Sequence, residues 1–175
     1  FPTRRSSDLK YLGDGSLSNE SCDALRNDAE NTLYVNVRIL GYQDTLCANA
    51  GTQYYYKCYI AGNVDFIYGN EPRAFFNDCK LVFRYSAAKN SGYVCAPKTG
   101  ADAAYGLTFY KCRVLSETGC SGSRYYLARP WGADAYITWI DCYMGKILRA
   151  NTANPYSDMS GNPDRKSTRL NSSHH

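Results

Sequence analysis

Between Lys10 and Pro163 the chain has no histidine; the two in the 175-residue sequence are His174 and His175. That absence excludes Ser-His-Asp and Cys-His nucleophilic catalysis, zincin helices and His-bearing zinc sites over this span. Acid–base chemistry there must run on carboxylates, with Lys, Tyr or Cys as outsiders. No apolar run approaches the roughly 18 residues of a spanning helix, so no membrane partner is expected. The eight cysteines show no CxxC spacing, which speaks against a metal cluster, and no metal or other cofactor is expected.

An excess of one charge is lacking too. The formal +4 comes from the ends: without residues 1–9 and 164–175 there remain 15 Lys and Arg against 14 Asp and Glu. Nucleic acid is therefore not expected as a partner. The ends, beginning FPTRRSSDL and closing DRKSTRLNSSHH, read as translated sequencing-adapter segments and are set aside as non-native tails. The expected organisation is a tail over 1–9, one partial domain over 10–163 and a tail over 164–175. With 44% hydrophobic residues and 17 Tyr, the chain can bury a core rather than remain disordered.

A repeat organises the middle. LYVNVRIL, YYYKCYIAG, FFNDCKLVF, LTFYKCRVL and ITWIDCYMG align Val37, Cys58, Cys79, Cys112 and Cys142 at intervals of 21, 21, 33 and 30 residues. Each is a short alternating stretch of aromatic and β-branched residues flanked by turn formers, the pattern of a strand. Strands at such a period, without an amphipathic helical pattern, predict an all-β solenoid in which equivalent positions stack, a parallel β-helix cut at both ends. An evenly spaced β-sandwich is the competing architecture. Four cysteines sharing a column with a Val read as small buried thiols. Cys22, Cys47, Cys95 and Cys120 remain as candidate bridge partners, their pairing open.

The two 21-residue coils can be compared position by position. Gly41 then falls over Gly62, Gln43 over Val64, and Asp44 over Asp65. Neighbouring rungs lie about 4.8 Å apart, which predicts two carboxylates on one face at about 5 Å. Like charges at that range repel by about 3 kcal/mol at an effective dielectric near 20, enough to separate their titrations by about two pH units. One carboxyl can then serve as acid while the other attacks as nucleophile. An Asp ladder on a solvated edge, or a pair of turn-capping aspartates, accounts for the same spacing without chemistry.

GYQDTL at 41–46, GNVDFIYG at 62–69 and LARPWG at 127–132 resemble, in order and spacing, three signature segments of the pectin methylesterases (pectinesterases). The resemblance extends along nearly the whole of 10–163 and implies a right-handed parallel β-helix. By it, Asp65 matches the nucleophile, Asp44 the general acid and base, Gln43 an oxyanion donor, Arg129 the guanidinium orienting Asp65, and Trp131 an aromatic of the sugar cleft. The implied reaction is hydrolysis of methyl esters on methyl-esterified homogalacturonan, releasing methanol. The implied partner is that polysaccharide, the full-length protein a monomer, and the location secreted or periplasmic.

Three departures stand out. Ser21 in SCDALR occupies the place of a second oxyanion Gln, Ala128 replaces a Gly before ArgProTrp, and Cys47 replaces an aromatic after QDTL. Family catalytic domains are also longer than this span, so low solubility and low activity are expected of the chain. Tyr54 and Tyr56 are expected opposite Tyr55, as wall and core rather than a carbohydrate platform. The alternatives are a catalytically impaired pectin-binding fragment and a β-helix glycoside hydrolase, for which two carboxylates about 5 Å apart also suit a retaining mechanism.

Overall fold

Ile39 pairs with Ile60, Ile60 with Leu81, Leu81 with Val114 and Val114 with Met144, so the repeat intervals of the sequence are turns of one coil. The computed structural model describes residues 10–11, 17–18, 23–70, 72–151, 156, 168–170 and 173–174. A short antiparallel pair, β1 (Lys10–Tyr11) with β2 (Leu17–Ser18), precedes the coil.

Three parallel sheets run along the coil. The first stacks β3 (Leu25–Asn27), β6 (Leu46–Ala48), β9 (Ile67–Gly69), β12 (Gly92–Pro97) and β15 (Tyr125–Ala128). The second stacks β4 (Thr32–Val35), β7 (Thr52–Tyr56), β10 (Arg73–Asn77), β13 (Leu107–Tyr110), β16 (Ile137–Ile140) and β18 (Thr168–Leu170). The third stacks β5 (Arg38–Leu40), β8 (Tyr59–Gly62), β11 (Lys80–Phe83), β14 (Arg113–Ser116), β17 (Tyr143–Met144) and β19 (Ser173–His174). A 3₁₀ turn over Lys146–Asn151 follows β17. This is the parallel β-helix that the repeat predicts.

Alternation explains which side chains go inside. Tyr55 is fully buried, while its neighbours Tyr54 and Tyr56 face outward and are partly exposed, as the period of two requires. Stacking then turns the repeat into ladders. Inside, Tyr34, Tyr55, Phe76, Phe109 and Trp139 stack one above the next at centroid distances of 4.8, 4.6, 4.8 and 4.0 Å. Beside them runs the thiol column. Cys58, Cys79, Cys112 and Cys142 are buried, and each Sγ donates to the carbonyl of the aromatic one coil back: Tyr34, Tyr55, Phe76 and Phe109, at 3.3–3.4 Å.

The corner before Val37 and before each column cysteine is a left-handed turn. Asn36, Lys57, Asp78, Lys111 and Asp141 all have φ between 50° and 56°. Asn and Asp tolerate that region well; stacking holds Lys57 and Lys111 in it. Among the described residues no bridge is formed: Cys47, Cys95 and Cys120, on separate rungs, make no disulfide, like the column cysteines. Cys22 and Ser21 lie outside the described residues.

The longer coils differ from the short ones mainly between strands. Residues 84–91 and 98–106 flank β12, and 117–124 and 129–136 flank β15, where the shorter coil has only 63–66 and 70–72 flanking β9. The strands keep register across these insertions, so the added residues build walls on the outside of the coil.

Candidate active site

Asp44 and Asp65 occupy the same corner in successive coils, just ahead of β6 and β9. The Asp44 amide donates to the Val64 carbonyl at 3.0 Å, and Leu46 donates to Phe66 at 2.9 Å, which fixes the 21-residue register through the corner. Both aspartates have left-handed backbones, φ 55° and 51°, another conformation that Asp adopts at low cost. Beneath them Gly62 admits no side chain. A Cβ there would stand 2.3 Å from the Phe66 Cβ and 2.6 Å from the Thr45 hydroxyl, so the tight approach of the two coils depends on glycine.

One cavity of about 210 Å³ is lined by Gln43, Asp44, Asp65, Tyr68, Ala96, Arg129 and Trp131. The five residues singled out in the sequence are therefore neighbours in space. Asp65 is 6% exposed; Gln43 and Asp44 are partly buried. Arg129 forks onto Asp65, its Nε donating to Oδ1 at 2.7 Å and its Nη2 donating to Oδ2. The guanidinium lies over the Tyr93 ring, 4.3 Å from the centroid. Arg129 is itself hung from the coil, its amide donating to the Cys95 carbonyl at 3.0 Å, and Trp131 likewise to Pro97 at 3.1 Å. Ala128, in the place of a glycine, needs no left-handed backbone and sits buried in β15.

Burial pushes the Asp65 carboxyl above the ordinary Asp range, opposed by the Arg129 hydrogen bonds, the Arg129 charge and the Lys89 charge. The cause of the upward shift is desolvation rather than the repulsion between carboxylates that the spacing alone suggests. Arg129 in turn is raised above its usual value, first by its hydrogen bond to Asp65. Two forked donors in a partly dry cleft hold this carboxylate in one orientation.

Trp131 is 40% exposed and tilts against Tyr68, with centroids 6.2 Å apart, giving the cleft an aromatic wall. Lys98 stands over the Trp131 ring, Nζ 5.6 Å from its centroid. Cys47 is wholly buried and takes no part in the wall; the aromatic contact comes from Tyr68 on the next coil. The sequence reading omits Tyr68 and Ala96, which line the cleft, and Tyr93 and Lys89, which touch Arg129 and Gln43 from outside the lining. Tyr68 carried a signal, since it lies inside GNVDFIYG two places from Phe66. Among the described residues, no three of His, Cys, Asp and Glu gather closely enough to hold a metal ion.

The pectinesterase family model matches residues 8–163. The chain is 36% identical over 126 residues to the pectinesterase QRT1 of Arabidopsis thaliana, covering 71% of this chain and 31% of that protein. Its fold is similar to that of a pectin methylesterase from Aspergillus niger, with a TM-score of 0.76 and 27% identity, covering 87% of this chain and 48% of the other. It is similar as well to a pectin methylesterase variant in complex with a hexasaccharide, with a TM-score of 0.68 and 27% identity over 81% of this chain and 48% of the other. The chain thus spans about a third of that curated relative and about half of these solved structures. The coil is the right-handed parallel β-helix of those structures.

Proposed function

The chain belongs to the pectinesterase family, and on that premise we propose that it carries the catalytic centre of a carboxylic ester hydrolase acting on methyl-esterified homogalacturonan. One observation carries the proposal: Gln43, Asp44, Asp65, Arg129 and Trp131, from three separated segments, line a single cleft, and the buried carboxylate among them is gripped by Arg129.

The geometry supports the following sequence. A carboxylate oxygen of Asp65 attacks the carbonyl carbon of a methyl ester. The carbonyl π pair moves onto oxygen, and the Gln43 amide donates to that oxyanion. As the tetrahedral centre collapses, the bond to methoxide breaks and Asp44 delivers its proton, so methanol leaves and an acyl anhydride joins substrate and Asp65. Water then attacks the substrate acyl carbon, giving a proton back to Asp44. The anhydride bond breaks, freeing the galacturonate acid and restoring Asp65 as carboxylate. Arg129 keeps the attacking carboxylate oriented throughout, and a pyranose ring rests on Trp131. No histidine is needed.

Its polymer substrate lies outside the cell, so the protein works there, secreted or periplasmic. The test is incubation of the chain with methylated pectin. Methanol without new reducing ends supports the esterase. Reducing ends would replace it with a glycoside hydrolase, and retention of the polymer with no product would leave only a binding fragment.

A further inference from the structure

Lys89 lies outside the three motifs, in the segment 84–91, and its Nζ donates to Gln43 Oε1 at 2.9 Å across 46 positions of sequence. An ammonium has donors only, so the amide atom facing it must be the oxygen. That contact settles the amide's orientation on chemical grounds. Lys89 is not part of the cavity lining, whereas Gln43 is. With Oε1 taken by Lys89, Nε2 is the amide atom that remains to donate.

The segment that bears Lys89 is pinned at several points. Arg84 Nη1 donates to the Gly41 carbonyl at 3.0 Å, the Lys89 amide donates to Ser86 at 3.2 Å, and the Tyr125 hydroxyl donates to Asn90 Oδ1 at 2.6 Å. Lys89 is itself half-buried. A charged donor held in this way polarises the amide it binds, which strengthens the amide's own N–H donors. Its charge is also one of the influences that draw Asp65 back toward the ionised form.

We propose that Lys89 is a positioning residue: it locks the Gln43 amide with Nε2 toward the cleft and polarises it as an oxyanion donor. The catalytic part of this statement rests on the esterase reading; the hold on Gln43 does not.

The sequence contains two glutamines, Gln43 and Gln53, so selective ¹⁵N-glutamine labelling of the full chain yields two side-chain amide groups. Gln53 is buried, donating to Ala50 and accepting from Tyr55, and serves as the internal reference. In the unaltered chain the Gln43 amide gives a heteronuclear NOE as rigid as that of Gln53. In Lys89→Met it falls to that of a free side chain while Gln53 stays put, and in Lys89→Arg it is retained. On methylated pectin, Lys89→Met lowers kcat about tenfold with KM changed less than about twofold, and Lys89→Arg recovers most of the rate. A Gln43 amide still rigid in Lys89→Met, or a kcat unchanged by it, overturns the proposal. An unaltered chain that releases no methanol counts against the esterase reading alone, and the NOE still decides whether Lys89 holds Gln43.

Discussion

Arg129 and Asp65, 64 positions apart in the chain, meet in a forked ion pair above the ring of Tyr93. A lysine there has neither the fork nor the planar face that lies on Tyr93. Arg129→Lys is therefore expected to lower kcat for methanol release by about 10²-fold with a smaller change in KM. An unchanged kcat would remove Arg129 from the orientation of Asp65.

The same pair sets the pH dependence. As the proposed nucleophile Asp65 must be ionised to attack, and burial raises its pKa above the ordinary Asp range. Activity should fall on acidification through that raised value, and loss of the Arg129 fork should move this acidic limb to higher pH. Stability runs the other way. The folded chain holds the proton more tightly than the unfolded one, so Asp65's contribution is full below the ordinary Asp pKa and is lost as pH rises through the raised one. Rate–pH profiles of the unaltered chain and Arg129→Lys, with thermal melts across the same range, check both directions.

Trp131 is 40% exposed and hangs from β12 by its backbone, so its ring serves the cleft more than the core. Trp131→Ala should raise KM about three- to tenfold, leave kcat within about twofold and leave Tm unchanged. A large fall in Tm would instead make the ring a packing element.

Gly62→Ala forces a methyl against Phe66 and Thr45, between the coils that bear the two aspartates. A loss of about 1–3 kcal/mol of stability is expected, together with reduced turnover. Denaturant melts measure the first and methanol release the second.

None of the seven described cysteines forms a disulfide, and six of them are buried. A reducing agent should leave Tm unchanged, whereas loss of a real bridge would cost about 2–5 kcal/mol. A drop in Tm under reduction would reveal a disulfide.

The coil was legible because stacking forces the same residue types to recur. Val37, Cys58, Cys79, Cys112 and Cys142 mark one interior position, and alternation put Tyr55 on the face opposite Tyr54 and Tyr56. The 21-residue period likewise put Asp44 over Asp65 without any coordinates. The left-handed corners escaped, since Asn36, Lys57, Asp78, Lys111 and Asp141 share a backbone conformation rather than a side-chain type. Lys89 escaped for another reason. It sits in an insertion with no repeat counterpart, and its partner Gln43 is fixed by how that insertion folds back across the coil. The source of the Asp65 shift was also beyond the sequence, because spacing reports neighbouring charge but not the loss of water.

On the proposed esterase reading, chemistry and selectivity are divided between two kinds of coil. The aspartates belong to turns of fixed circumference, where adding or deleting one residue would swing a carboxylate off the shared face. Lys89, Lys98, Arg129 and Trp131 belong to the insertions of wider turns, whose length can vary while the ladders beneath stay in step. Changes of substrate preference in this scaffold should therefore be sought by grafting the segments 84–91, 98–106 and 129–136, leaving the reacting pair on an untouched chassis.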